Sequence, residues 1–135
     1  MGSAFWDDLA GDLEDPEFLR EYITSSVRIA TVDTVVNAFE EARLSAGLSK
    51  AELARAIGAE PATVRRLFSN GAANPTLGTL AEVAAALELR ISVEPMPAAE
   101  REALTTPLRT GRITKTAAKR VEKLRHGRRT PSVAA

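Results

Sequence analysis

Two short helices joined by a glycine-containing turn are written into residues 47–68, and this stretch restricts the fold more than any other. Ser49 and Glu52 form a capping box: the serine oxygen takes a free amide of the first helical turn while the acid reaches back to the serine amide. Leu48, just ahead of the cap, can staple onto Leu53. Leu53 and Ile57 point to one side, so the first helix of the pair runs from Lys50 to Ile57. Ala54 and Gly58 are small where two helices at a steep angle must come close. Pro61 suits the first position of the second helix, where its missing N–H costs nothing, although Glu60 is a poorer cap than serine or threonine. At about 100° per residue, Pro61, Val64, Leu67 and Phe68 fall toward the core. Ala62, Arg66 and Ser69 point the opposite way, flanked by Thr63 and Arg65.

The flanking segments extend this pair into a helical bundle. Asp15-Pro16-Glu17 is a helix start, with Phe18, Tyr22 and Ile23 as an apolar face over residues 16–27. The β-branched, hydroxyl-rich SSVRIATVDT segment favours a break near Thr31 over one long helix. From Val32, apolar positions at Val35, Val36, Phe39 and Ala42 recur at helical spacing until Gly47, which sits where a left-handed closing residue belongs. Asn70-Gly71 closes the arginine-bearing helix. Asn74-Pro75 opens another, with Leu77, Leu80, Val83, Ala84 and Leu87 inward. Residues 89–94 alternate apolar and polar up to Pro95, the pattern of a strand. Its partner strand comes either from a second copy across a two-fold axis or from the same chain. Past Pro97 the sequence suggests a linker with one short basic helix near Thr116 to Arg125.

The formal net charge is zero, yet the charge is strongly segregated. Residues 1–40 carry a net −7 and residues 101–135 a net +8. The reading is therefore an acidic N-terminal extension (1–31), a central domain with a dimerising strand (32–96) and a basic, disordered-type tail (97–135). Without cysteine, and with His126 as the one histidine, neither a disulfide nor a zinc site is expected. No cofactor and no catalytic constellation is expected either. No apolar run approaches the length of a membrane helix and the N-terminus is acidic, so a cytoplasmic, membrane-free protein is expected.

A capped helix, a turn and a second helix with an outward arginine strip fit a DNA major groove. At this point the chain resembles the Xre family of lambda-repressor and Cro type helix-turn-helix proteins and, within it, the HigA-type antitoxins of bacterial toxin-antitoxin operons. The resemblance is carried by Gly47-Leu48-Ser49-Lys50-Ala51-Glu52, Leu53-Ala54-Arg55-Ala56-Ile57-Gly58 and Ala62-Thr63-Val64-Arg65-Arg66-Leu67. It continues through Asn74-Pro75-Thr76, Thr79-Leu80 and residues 89–95, and covers roughly residues 15–97. Two departures stand out: Glu60 replaces a small hydroxyl cap, and Phe68-Ser69-Asn70 lengthens the exit by about one residue. The resemblance implies an all-α bundle of about five helices with an N-terminal helical extension, one short C-terminal β-strand and a basic tail.

Resemblance and helical projection together make Ala62 and Arg66 the base-reading candidates: Arg66 for a guanine O6 and N7, Ala62 for a thymine methyl. Ser49, Lys50, Pro61, Thr63, Arg65 and Ser69 complete the expected DNA-binding set, with Ser49 and Lys50 meeting a phosphate at a helix start. Glu60 either repels phosphate or accepts from a cytosine amino group. The resemblance further implies a homodimer on a palindromic operator, paired through residues 89–94. It also implies a basic ribonuclease-type toxin as partner, for which the acidic N-terminal segment is the candidate contact. The alternative is a stand-alone regulator without a toxin, in which that segment only buttresses the domain. The basic tail adds nonspecific phosphate contacts, folds on a partner, or serves solubility alone.

Overall fold

Asp15 and Pro16 start a helix that does not stop for 31 residues. In the computed structural model, which describes residues 3–69 and 74–126, α1 spans Ser3–Asp12 and α2 spans Pro16–Ala46. The Asp15 carboxylate accepts from the Glu17 amide at 3.0 Å, the capping bond its side chain is suited to make. The break expected near Thr31 is absent. Each β-branched or hydroxyl residue costs a helix only a few tenths of a kcal/mol, and the hydroxyls of this stretch are satisfied on the helix itself. Thr24 donates to the Glu21 carbonyl at 3.3 Å, and Ser25 and Ser26 donate to that of Tyr22 at 3.2 and 2.6 Å. Leu19 and Ile23 in one half, and Phe39 in the other, are buried. Packing of both halves outweighs weak intrinsic propensity.

The described residues divide into two units: those up to Ala30 together with those from Glu94 onward, and Thr31–Val93. In the first, Leu13, Leu19 and Ile23 share a core with Ala103, Leu104, Ala117, Ala118 and Val121. The segment expected as a linker and basic tail is thus, through His126, half of a folded unit; residues 127–135 lie outside the described residues. Here α6 (Ala98–Glu100), a π-helical turn (Arg101–Thr105) and α7 (Thr106–Thr110) follow one another directly. Pro107 explains the wide turn: it has no N–H for the carbonyl four residues back and its ring would strike it. The Thr106 amide instead donates to Arg101. The short basic helix foreseen near Thr116 is α8, Lys115–Arg125.

One polar cluster lies within this unit. Arg125 donates to the hydroxyls of Ser26 at 2.7 Å and Ser25 at 3.0 Å, and stands 5.3 Å above the Tyr22 ring. The Tyr22 hydroxyl donates to Glu122 at 2.6 Å. Burial, and then this bond to a carboxylate, push the phenol well above its ordinary pKa, so it stays protonated. Gly111, buried between α7 and α8 at φ +79°, is fixed by both conformation and space: a Cβ there would stand 3.2 Å from the Arg20 guanidinium and 3.3 Å from the Pro16 ring. Gly111→Ala is therefore expected to destabilise this unit by about 1–3 kcal/mol. Urea unfolding followed by Trp6 fluorescence measures it, and an unchanged midpoint would refute the argument.

The second unit holds the end of α2 with α3 (Lys50–Ala56), α4 (Pro61–Leu67) and α5 (Leu77–Ala86). Phe39, Leu53, Ala54, Val64, Leu67, Val83, Ala84 and Leu87 form its core, with Leu48 packed beside it as the staple requires. Arg43 ties the entrance down, donating to the Leu48 carbonyl at 2.7 Å while paired to Glu40 at 2.6 Å.

Three expectations change in this unit. Thr76, not Asn74, caps α5: its hydroxyl accepts from the Thr79 amide at 3.1 Å, which moves the helix start past Pro75. Leu77, at the new first position, is exposed rather than inward. Residues 89–94 form no strand, because a strand needs a ladder partner and none of the described residues supplies one. Leu89, Ile91 and Val93 are left exposed at 39%, 37% and 98%. The helix stop placed at Asn70-Gly71 lies outside the described residues.

Candidate nucleic-acid interface

Helix α3 begins as its sequence dictates. The Ser49 oxygen accepts from the Glu52 amide at 3.0 Å and Glu52 accepts from the Ser49 amide at 2.8 Å. The bond from the Ser49 amide, and after it one from the Ser49 side chain, hold the Glu52 carboxyl below the usual carboxylate range. Ser49 is exposed. Lys50 is half-buried, its ammonium 5.7 Å from the Phe68 ring centroid, and Arg43 stands at the same distance from that ring. Phe68 thus orients two cations through its π face. Sequence reading treated Phe68 as core alone; its half-buried ring shows that it serves both purposes.

The turn between α3 and α4 is closed by backbone. The Ala59 amide donates to Ala54 at 2.9 Å and the Gly58 amide to Arg55 at 3.2 Å, with Gly58 at φ +69°. A Cβ on Gly58 would meet nothing within 4 Å, so glycine is needed here for the left-handed conformation, not for the close helix approach expected of it. Ala54, by contrast, is buried. Glu60 occupies the cap position of α4 without a side-chain bond, and Pro61 follows at the first helical position. The Glu60 carboxylate is therefore exposed beside the start of α4.

Along α4, Val64 and Leu67 are buried while Pro61, Ala62, Arg65 and Arg66 are exposed and Thr63 is half-buried. The Ser69 hydroxyl donates to the Arg66 carbonyl at 2.8 Å, so its proton finishes the helix. The structure thus brings Ala62, Arg65 and Arg66 onto the solvent side of one short helix. Lys50 instead leans on Phe68. Arg65 and Arg66 lie in the last turn, where the negative helix end favours cations. Such an array can offer a bidentate guanidinium to a base edge and further donors to phosphates.

Among the described residues no group of three or more histidine, cysteine or acidic side chains could hold a metal ion. No described helix is long and apolar enough to cross a membrane. No curated protein and no solved structure matches the chain. Residues 39–93, which span the end of α2 through α5, match the Helix-turn-helix family model; the match supports an Xre-type helix-turn-helix domain and a sequence-specific DNA-binding regulator of transcription.

Proposed function

We propose that the chain is a cytoplasmic antitoxin and autoregulator, a homodimer that binds a palindrome in its own promoter and neutralises a basic, ribonuclease-type toxin. The exposed arginine strip of α4 over a buried Val64-Leu67 face carries the DNA part of this reading. In it, Arg66 and Ala62 read bases. Ser49, Lys50, Pro61, Thr63, Arg65 and Ser69 hold the helix in register. Two α4 helices bind half-sites one turn apart, about 34 Å.

The exposed apolar side chains of Leu89, Ile91 and Val93 support dimerisation, since an unpaired extended segment with that alternation invites a second copy. A doubly charged variant, Ile91→Lys with Val93→Lys, is expected to run as a monomer in light scattering and to bind the palindrome at least about tenfold more weakly. A variant that remains dimeric removes residues 89–94 from the interface.

For the toxin, support comes from the exposure of Asp7, Asp8, Asp12, Glu14, Asp15, Glu17 and Glu21 along α1, the turn after it and the start of α2. Such a surface steers a basic partner. Co-expression with the neighbouring gene product and pull-down tests this, and reversal of these acids to lysine is expected to abolish capture. The stand-alone regulator also has a specific observation in its favour: α1 and the start of α2 share a core with the C-terminal helices, which alone gives the acidic segment a structural task. Retention of the neighbouring protein by wild type, with no loss on charge reversal, counts for neither contact and sinks the acidic-surface assignment.

A further inference from the structure

The cations of the C-terminal helix, apart from Arg125, which donates to Ser25 and Ser26, are arranged on one side of it. With Lys115 set at 0° and about 100° per residue, His126, Lys119, Lys123, Thr116 and Arg120 follow within an arc of about 140°. All six side chains are exposed. The opposite side holds Ala117, Ala118 and Val121, all buried. The one acid of α8, Glu122, is half-buried, taking the Tyr22 hydroxyl at 2.6 Å and His126 at 2.8 Å. The outer arc therefore carries no carboxylate. Among the described residues no carboxylate pairs with Lys115, Lys119, Arg120 or Lys123; Lys119 lies 5.5 Å above the Trp6 ring.

Charge is also segregated on α1 within the same unit. By the same construction, Asp7 falls on the side of α1 opposite Leu9, which packs on the core, while Asp8 and Asp12 lie about 100° and 60° from it. Lys115, Lys119 and Lys123, one turn apart, form a row of about 12 Å. A row of unpaired cations with no interleaved acid fits a regularly spaced polyanion. In a chain that already carries a DNA-binding domain, duplex DNA is the polyanion held at high local concentration.

We propose that the outer face of α8 is a second DNA contact, binding phosphates of duplex DNA without regard to sequence. It rests on the chain's being a DNA-binding protein, but not on which residues of α4 read bases. The lysines and Arg120 each displace a condensed counterion, so the contribution is additive and salt-sensitive.

The test uses the full chain and a random-sequence duplex of about 30 base pairs, close to three helical turns. The variant is Lys115→Gln, Arg120→Gln, Lys123→Gln, all exposed positions, with circular dichroism as the check on folding. For three lost phosphate contacts, the slope of log affinity against log salt should shrink by about 2.7, and affinity at low salt should fall at least about tenfold. The matching triple variant Lys115→Arg, Arg120→Lys, Lys123→Arg should keep the wild-type slope. An unchanged slope in the folded glutamine variant overturns the proposal. So does unchanged duplex binding with lost binding to phosphatidylserine-containing vesicles, which would assign the face to a lipid surface instead. Arg66→Ala separates the two contacts, since it should erase preference for the promoter over random duplex whatever the α8 variant does.

Discussion

Arg66→Ala is expected to lower affinity for the promoter palindrome by about 30-fold or more, the loss of roughly 1–3 kcal/mol of base discrimination at each of its two half-sites. The structure gives this variant an unusually clean background. Arg66 is exposed and has no side-chain hydrogen bond or ion pair among the described residues, so its removal strands no buried partner. Alanine is the best helix former, so α4 should persist. The Ser69 hydroxyl bonds the backbone carbonyl of Arg66, which the substitution leaves in place. Thermal stability should therefore stay within about 0.5 kcal/mol of wild type. Loss of preference for the promoter without loss of nonspecific, salt-dependent binding identifies a base-reading residue. An equal fall on every duplex would demote Arg66 to a phosphate contact, and no change would move the reading face elsewhere.

Glu60 offers a smaller test of the same surface. Its carboxylate caps nothing, so Glu60→Ser should gain helix stability by a few tenths of a kcal/mol to about 1. Any change in base preference at one operator position would then separate acceptance from cytosine from repulsion of phosphate. The two readings predict opposite signs for the affinity change.

The helix pair was legible because its instructions are local. The capping box, the staple of Leu48 and the burial of Val64 and Leu67 need only neighbours in sequence, and all are present. What failed was decided at a distance. Hydroxyl-rich residues 25–34 argued for a break, but Arg125, about a hundred positions away, donates to Ser25 and Ser26, and Ile23 packs with Val121 in one core. Basic composition likewise made the C-terminal segment look unfolded. Its exposed cations occupy one arc of α8 and its small buried residues the other, a separation that averages over composition conceal. Residues 89–94 have the alternation of a strand, yet strand formation belongs to a pair of segments and the described residues hold only half. The role of Gly58 was misjudged for a different reason: a small residue satisfies both close packing and a left-handed backbone, and sequence alone does not separate them.

Leu53→Ala is expected to cost about 2–5 kcal/mol, because Leu53 is fully buried and truncation leaves a cavity that its neighbours fill only in part. A unit of some 60 residues has only about 3–9 kcal/mol of stability, so most of the helix-turn-helix fold, and with it DNA binding, should be lost. The chain reports this loss selectively. Trp6 is the one tryptophan and belongs to the first unit, whose core shares no residue with that of Leu53. Helical circular dichroism should therefore fall while Trp6 emission stays at its native wavelength. Val121→Ala, in the other core, should do the reverse: Trp6 emission shifts toward that of a solvated indole before DNA binding fails. Coincident transitions by both probes in both variants would mean that α2 couples the two cores into one cooperative unit. That coupling would give any partner bound to the acidic N-terminal helices a direct energetic route to the DNA-binding domain.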